Sequence, residues 1–180
     1  MSLPVFKYHP DPVSTGSFEV SEARCLSCEQ KRGFIYKPLA YGETELADAL
    51  CPWCIADGSA HRKFGVILID PDGIGGHGQW EKVGDDVIDE IAYRTPGFIG
   101  WQQEMWFTHC GDGAEFLGFA GKKELEALGE DAIASIKEDI GFDGEQWAEY
   151  FESLDKKDQP TAYVFRCRHC GKHGGYSDFT

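Results

Sequence analysis

Seven cysteines carry the most legible chemistry in this chain, and six of them form three C-x-x-C pairs: Cys25–Cys28, Cys51–Cys54 and Cys167–Cys170. The first two pairs, about 20 residues apart, have the spacing of a four-thiolate zinc site. Each pair places two sulfurs on one tight turn, and residues 29 to 50 are long enough to fold the second turn back onto the first. Zinc held by Cys25, Cys28, Cys51 and Cys54 would be coordinatively closed, a site that stabilises a fold rather than activating water. Cys51-Pro52-Trp53-Cys54 also admits thiol redox exchange. That chemistry wants a βαβ setting, and it leaves Cys25 and Cys28 without a role.

The third pair opens a second, less complete zinc site. Cys110 can reach Cys167 and Cys170, and the fourth place is open to His109, His169 or His173. Three protein ligands and a retained water would make a zinc-dependent hydrolase, with Asp112 or Glu115 as base. A full ligand set using one histidine would be structural, and it is favoured because no substrate pocket is legible.

These ligands need elements to hold them. Gly33-Phe34-Ile35-Tyr36 reads as a short strand after the first pair, and Glu43 to Leu50 as a brief helix leading into the second. Phe64 to Ile69 is a continuous apolar run of strand length and the best buried strand. Gly73-Ile74-Gly75-Gly76-His77-Gly78 matches G-x-G-x-x-G, yet no helix opens at its end, so a flexible surface loop is expected rather than a dinucleotide site. Asp85 or Asp86 caps a helix through Tyr93, which Thr95-Pro96-Gly97 stops. The aromatic stretch 98–107 ends in a strand that delivers Cys110, and Glu115 to Phe119 continues or pairs with it. From 122 to 154 three amphipathic helices follow, the third opened by a capping box from Asp143 to Gln146. Ala162 to Arg166 is a strand leading into the last knuckle. At the start, prolines and rings from Leu3 to Pro12 make an extended packed arm, in which His9 is structural.

Composition bounds the role. A net charge of −14 argues against nucleic acid as the main partner and admits a basic protein partner. No run approaches the roughly 18 apolar residues that span a bilayer, and the first residues lack a basic and apolar leader, so no membrane association is expected. With an odd number of cysteines spaced for metal rather than for disulfides, the expected compartment is the cytoplasm. Oligomeric state is not legible. The fold class is α+β: one domain over 1–180, with a zinc-ribbon-like pair of knuckles at 24–58, a small antiparallel sheet and an acidic helical portion at 122–154.

Several landmarks resemble the CbrC family, a bacterial group. They are Phe6-Lys7-Tyr8-His9-Pro10-Asp11-Pro12, Arg32-Gly33-Phe34-Ile35-Tyr36, Leu50-Cys51-Pro52-Trp53-Cys54-Ile55-Ala56-Asp57-Gly58, Arg94-Thr95-Pro96-Gly97-Phe98, Trp101-Gln102-Gln103, His109-Cys110 with Asp112, and Cys167-Arg168-His169-Cys170-Gly171. The resemblance spans nearly the whole chain and implies an association with tolerance of colicins. Members of this type can carry another cysteine where this chain has Ala114, so a four-thiolate second site is not expected here. The favoured role is a zinc-stabilised binding protein with a protein partner; a zinc hydrolase is second and a thiol redox protein third.

Overall fold

The computed structural model describes residues 2–42, 46 and 48–178, which form an α+β fold of small antiparallel sheets and, among the described residues, six α-helices. Its first sheet is the hairpin β1 (Phe18–Arg24) and β2 (Lys31–Tyr36). Helices α1 (Pro52–Ala56), α2 (Ser59–Phe64) and α3 (Asp85–Arg94) follow. A two-residue ladder joins β3 (Thr108–His109) to β4 (Asp112–Gly113). The largest sheet has the order β5 (Glu115–Ala120), β6 (Thr161–Arg166), β7 (His173–Asp178), with α4 (Lys122–Leu128), α5 (Glu130–Ile140) and α6 (Gly144–Ser153) inserted between its first two strands.

That sheet is buried on both faces, and the two-residue period of β6 decides what each face meets. Ala162 and Val164 point to the helices, packing with Leu125, Ala132, Ile136 and Tyr150. Tyr163 and Phe165 point the other way, into an aromatic core with Tyr8, Phe98, Trp106 and Phe116. In β5 a bulge between Phe116 and Gly118 resets the alternation, so Phe116 and Phe119 both face that core. Phe98 and Phe116 stack there at 4.0 Å. A third cluster, with Phe18, Tyr36, Leu50, Ile55 and Val66, surrounds Cys25, Cys51 and Cys54.

Several local expectations need correction. Phe64 to Ile69 is no strand: Phe64 ends α2, Gly65 stops it in the left-handed region at φ 64°, and Ile67 forms one isolated bridge to Tyr41. Val66, Leu68 and Ile69 are buried, but Gly65 is exposed, and the backbone groups find partners singly, Ile67 on Tyr41 and Leu68 on Ala92. The helix expected over 43–50 falls partly on residues 43–45 and 47, outside the described residues; Leu46 and residues 48–50 are not helical.

Nor is the glycine run a simple surface loop. Gly73, Ile74, Gly75 and Gly76 are buried, because Gly73 and Gly75 exchange hydrogen bonds with Trp106. A Cβ on Gly73 would lie 2.7 Å from the Glu104 carbonyl oxygen, so only glycine permits the approach. Short 3₁₀ turns at Pro71–Gly73 and Gly76–Gly78 take the place of a phosphate-binding helix start. Helix α3 starts from Gly84 rather than from an aspartate cap, with Asp85 and Asp86 in its first turn where the helix dipole favours them. Asp143 stands at the N-cap of α6 but makes no side-chain cap bond.

Candidate metal centres

The β1–β2 hairpin ends in the turn that carries Cys25 and Cys28, while Cys51 is the N-cap of α1 with Pro52 at its first position, a placement that fixes the helix start. One knuckle therefore comes from a hairpin and the other from a helix N-terminus. Their four sulfurs lie within 4.8 Å of one another. A tetrahedron with metal–sulfur bonds of about 2.3 Å has edges of about 3.8 Å, and Cys28 Sγ is 3.9 Å from Cys51 Sγ. The residues fit a tetrahedral metal, and the all-sulfur set suits a soft ion such as zinc.

Electrostatics prepare the same site. The Cys51 thiol beside it holds the Cys25 thiol down at about 4 against burial, helped by the N–H groups of Cys28, Cys51 and Ser27. Cys51, sharing that proton with Cys25, is pushed up in turn. The Cys51 amide donates to Cys25 Sγ at 3.3 Å, and Lys63 donates to the carbonyls of Leu26 and Ser27, pinning the first turn. Cys25, Cys51 and Cys54 are buried, so apolar packing excludes water from this donor set.

The second group is built from two facing hairpin turns. The β3–β4 turn has left-handed φ at both central residues, 56° at Cys110 and 69° at Gly111, as a tight two-residue hairpin requires. The β6–β7 hairpin supplies Cys167 and Cys170. His109, Cys110, Cys167 and Cys170 bring one donor atom each within 4.8 Å of one another. His109 Nδ1 is 3.2 Å from Cys110 Sγ and 3.5 Å from Cys170 Sγ. Mixed nitrogen–sulfur edges of a zinc tetrahedron are about 3.6 Å, so this set fits a metal too. The N–H groups of Cys170 and His169 bring the Cys167 thiol to about 6 despite burial. Desolvation and the neighbouring Cys170 and Cys167 thiols push Cys110 up to about 11.

Of the three histidines open at the sequence level, His109 joins the cluster and the other two do not. His169 Nε2 is 3.0 Å from Asp112 Oδ2, and His173 lies in β7 paired with Arg166. Neither carboxylate proposed as a base is free. Asp112 pairs with Arg168, and against its burial the bonds from Tyr8 and His169, the nearby Lys7 and the Gly113 N–H hold its carboxyl down at about 2. Glu115 pairs with Arg166 and Arg168. Because Arg168 and His169 are the two residues between Cys167 and Cys170, Asp112 fastens that turn to the hairpin bearing Cys110. Ala114 belongs to the aromatic core, its carbonyl accepting the Trp106 indole N–H at 3.0 Å. His9 is structural: Nδ1 donates to the Pro96 carbonyl and Nε2 accepts from Thr15, each at 2.7 Å.

Sequence reading missed the shell of Lys7, Tyr8 and Arg168 around Asp112. No spacing rule signals it, since the arm and the last knuckle meet only through the fold. A cleft of about 450 Å³ runs past His109, lined by Trp80, Glu81, Phe107, Asp131, Glu138 and Lys172 among others.

Residues 3–179 match the profile of an uncharacterised protein family, UPF0167. The chain is 45% identical to UPF0167 proteins of Mycobacterium bovis and Mycobacterium tuberculosis, over 98% of its length and 94% of theirs. It is 37% identical to a UPF0167 protein of Pseudomonas aeruginosa, over 99% of this chain and 98% of the relative. No solved structure matches it.

Proposed function

The chain belongs to the UPF0167 family, and we propose that it is a binding protein whose fold is closed by two structural zinc ions. One observation carries this reading: two separate groups, four thiols in one and three thiols with an imidazole in the other, each bring four donor atoms within 4.8 Å of one another. The ligands would be Cys25, Cys28, Cys51 and Cys54 at the first site and His109, Cys110, Cys167 and Cys170 at the second. When bound, zinc supplies cross-links between turns, and its affinity adds to folding free energy. With His109 in the fourth place and Asp112 and Glu115 tied in ion pairs, a structural role fits better than hydrolysis. Redox exchange at Cys51 and Cys54 is disfavoured by the presence of Cys25 and Cys28 in the same cluster.

The binding partner in this reading is a basic protein. Its support is the number of exposed carboxylates on α5 and α6, Glu130, Asp131, Glu138, Glu145 and Glu149, of which Asp131 and Glu138 line the cleft beside His109 together with Glu81. Among the described residues no helix is long and apolar enough to cross a membrane. We place the protein in the cytoplasm on its thiolate-rich, disulfide-free use of cysteine. A part in colicin tolerance rests on the resemblance to the CbrC family alone.

The test is zinc per chain on native, untagged protein with Cys51→Ser and Cys167→Ser variants. About two zinc ions, one lost in each variant, is the expected result. One zinc, lost only with Cys51, would remove the second site from the proposal. A pull-down whose recovered proteins do not change when the charges on the 122–154 helices are reversed would remove the basic partner.

A further inference from the structure

His109 presents its two ring nitrogens to different surroundings. Nδ1 faces the sulfurs of Cys110 and Cys170, while Nε2 faces Glu81 Oε1 at 3.9 Å. That separation is ion-pair range and longer than a hydrogen bond, a gap that a small side-chain rotation closes. The other carboxylate oxygen, Oε2, accepts the N–H of Gly111 at 2.9 Å. Glu81's own backbone carbonyl accepts the Thr108 hydroxyl at 2.6 Å. One residue thus touches Thr108, His109 and Gly111, on both sides of the turn that holds Cys110 in left-handed φ.

We propose that Glu81 is the positioning residue of the second metal centre: it directs the His109 proton to Nε2, leaving the Nδ1 lone pair for the metal, and it clamps the Cys110–Gly111 turn. Neutral imidazole carries one proton, and a carboxylate facing Nε2 favours N–H there. A metal-bound histidine is commonly oriented in this way by a carboxylate on its other nitrogen. Glu81 reaches the site because the chain leaves the glycine run through Trp80, whose ring packs where a Cβ on Gly76 would stand, 2.8 Å away. The glycine run that resembles a nucleotide motif therefore serves to deliver this carboxylate. The inference rests on zinc occupying the second site.

The experiment is zinc extraction from the whole protein by competition with a chromophoric chelator, comparing wild type, Glu81→Ala and Glu81→Gln. The phases are assigned with Cys51→Ser and Cys167→Ser, so the first site serves as an internal reference for folding. Removing an outer-shell partner typically costs roughly 10- to 100-fold in metal affinity. Glu81→Ala is expected to weaken the second site at least about tenfold and leave the first unchanged. Glu81→Gln keeps an acceptor for Gly111 but loses the charge, and is expected to fall between. With the second site emptied by chelator and the first still loaded, nitrogen-15 NMR should show the His109 proton on Nε2 in wild type and shift it toward Nδ1 in Glu81→Ala, a change that general loosening would not produce. Equal second-site affinities in all three proteins, or a wild-type proton on Nδ1, overturns the inference while leaving the two-zinc reading intact. A wild type that takes no metal at the second site overturns both.

Discussion

Glu29 and Gly171 hold the same place in two knuckles. Each follows the second cysteine of its pair, each has left-handed φ (60° and 77°), and each donates its N–H to the carbonyl of the pair's first cysteine, at 2.7 and 3.0 Å. In both turns the first cysteine's N–H then donates to the carbonyl two residues past the second cysteine, Cys25 to Gln30 and Cys167 to Lys172, at 2.9 and 2.8 Å. The same backbone solution thus appears twice, once with glycine and once with a residue that has a Cβ.

This pairing predicts unequal substitutions. Gly171→Ala puts a Cβ into the left-handed region and should cost about 1 kcal/mol, whereas Glu29→Gly relieves that strain and should leave the thermal midpoint unchanged or higher. A Glu29→Gly protein as destabilised as Gly171→Ala would show that the two turns are not equivalent.

Metal should leave the two sites in order. Cys25, Cys51 and Cys54 are buried, whereas Cys110 and Cys170 are exposed. Chelator should strip the second site first, and a thiol reagent should then modify Cys110 and Cys170 before the other cysteines. Peptide mapping of the labelled protein reads this directly; early labelling at Cys51 or Cys54 would reverse the assignment.

His9 gives the protein an acid-side weakness. Burial lowers its folded value to about 4 from an unfolded value near 6.5, partly offset by the bond to Pro96 and by Asp11. The unfolded chain therefore binds more protons between those values. Stability is fully present above pH 6.5 and falls as pH drops toward 4, by up to about 1.4 kcal/mol per unit. Asp178, Asp139 and Glu104, which burial pushes upward, titrate with the opposite sign. The difference between wild type and His9→Gln across pH 7 to 4.5 isolates the histidine; parallel curves would refute the assignment.

The β6–β7 hairpin leaves no room at Gly175. A Cβ there would lie 2.0 Å from the Tyr163 carbonyl oxygen, at φ 157°. Gly175→Ala should destabilise the protein by roughly 3 kcal/mol, the upper part of the range for overpacking. A denaturation midpoint close to wild type would mean that the strands separate more easily than their register implies.

Legibility in sequence followed contact distance. The first site could be read because two paired spacings fall within one short stretch. The helices from 122 to 154 were legible because apolar residues recur at helical spacing within each, Leu125 and Leu128, then Ile133, Ile136 and Ile140, then Trp147, Tyr150 and Phe151. The choice of His109 over His169 was not, because Asp112 and the turn at Cys110 decide it from more than fifty residues away. Phe64 to Ile69 misled for a related reason: burial shows in composition, while pairing depends on a neighbour that the sequence does not name. Glu81 escaped notice because nothing local marks a carboxylate whose partners, the His109 ring and the Gly111 N–H, lie beyond residue 107.

The donors of the first group all lie between residues 25 and 54, whereas those of the second enclose α4, α5 and α6 between Cys110 and Cys167. A ribosome therefore finishes the first donor set well before it makes Cys167, and the acidic helices emerge while Cys110 still lacks its partners. Under the two-zinc proposal, assembly of the two donor sets is ordered by translation itself, and the second would latch the loop of helices after they have been made.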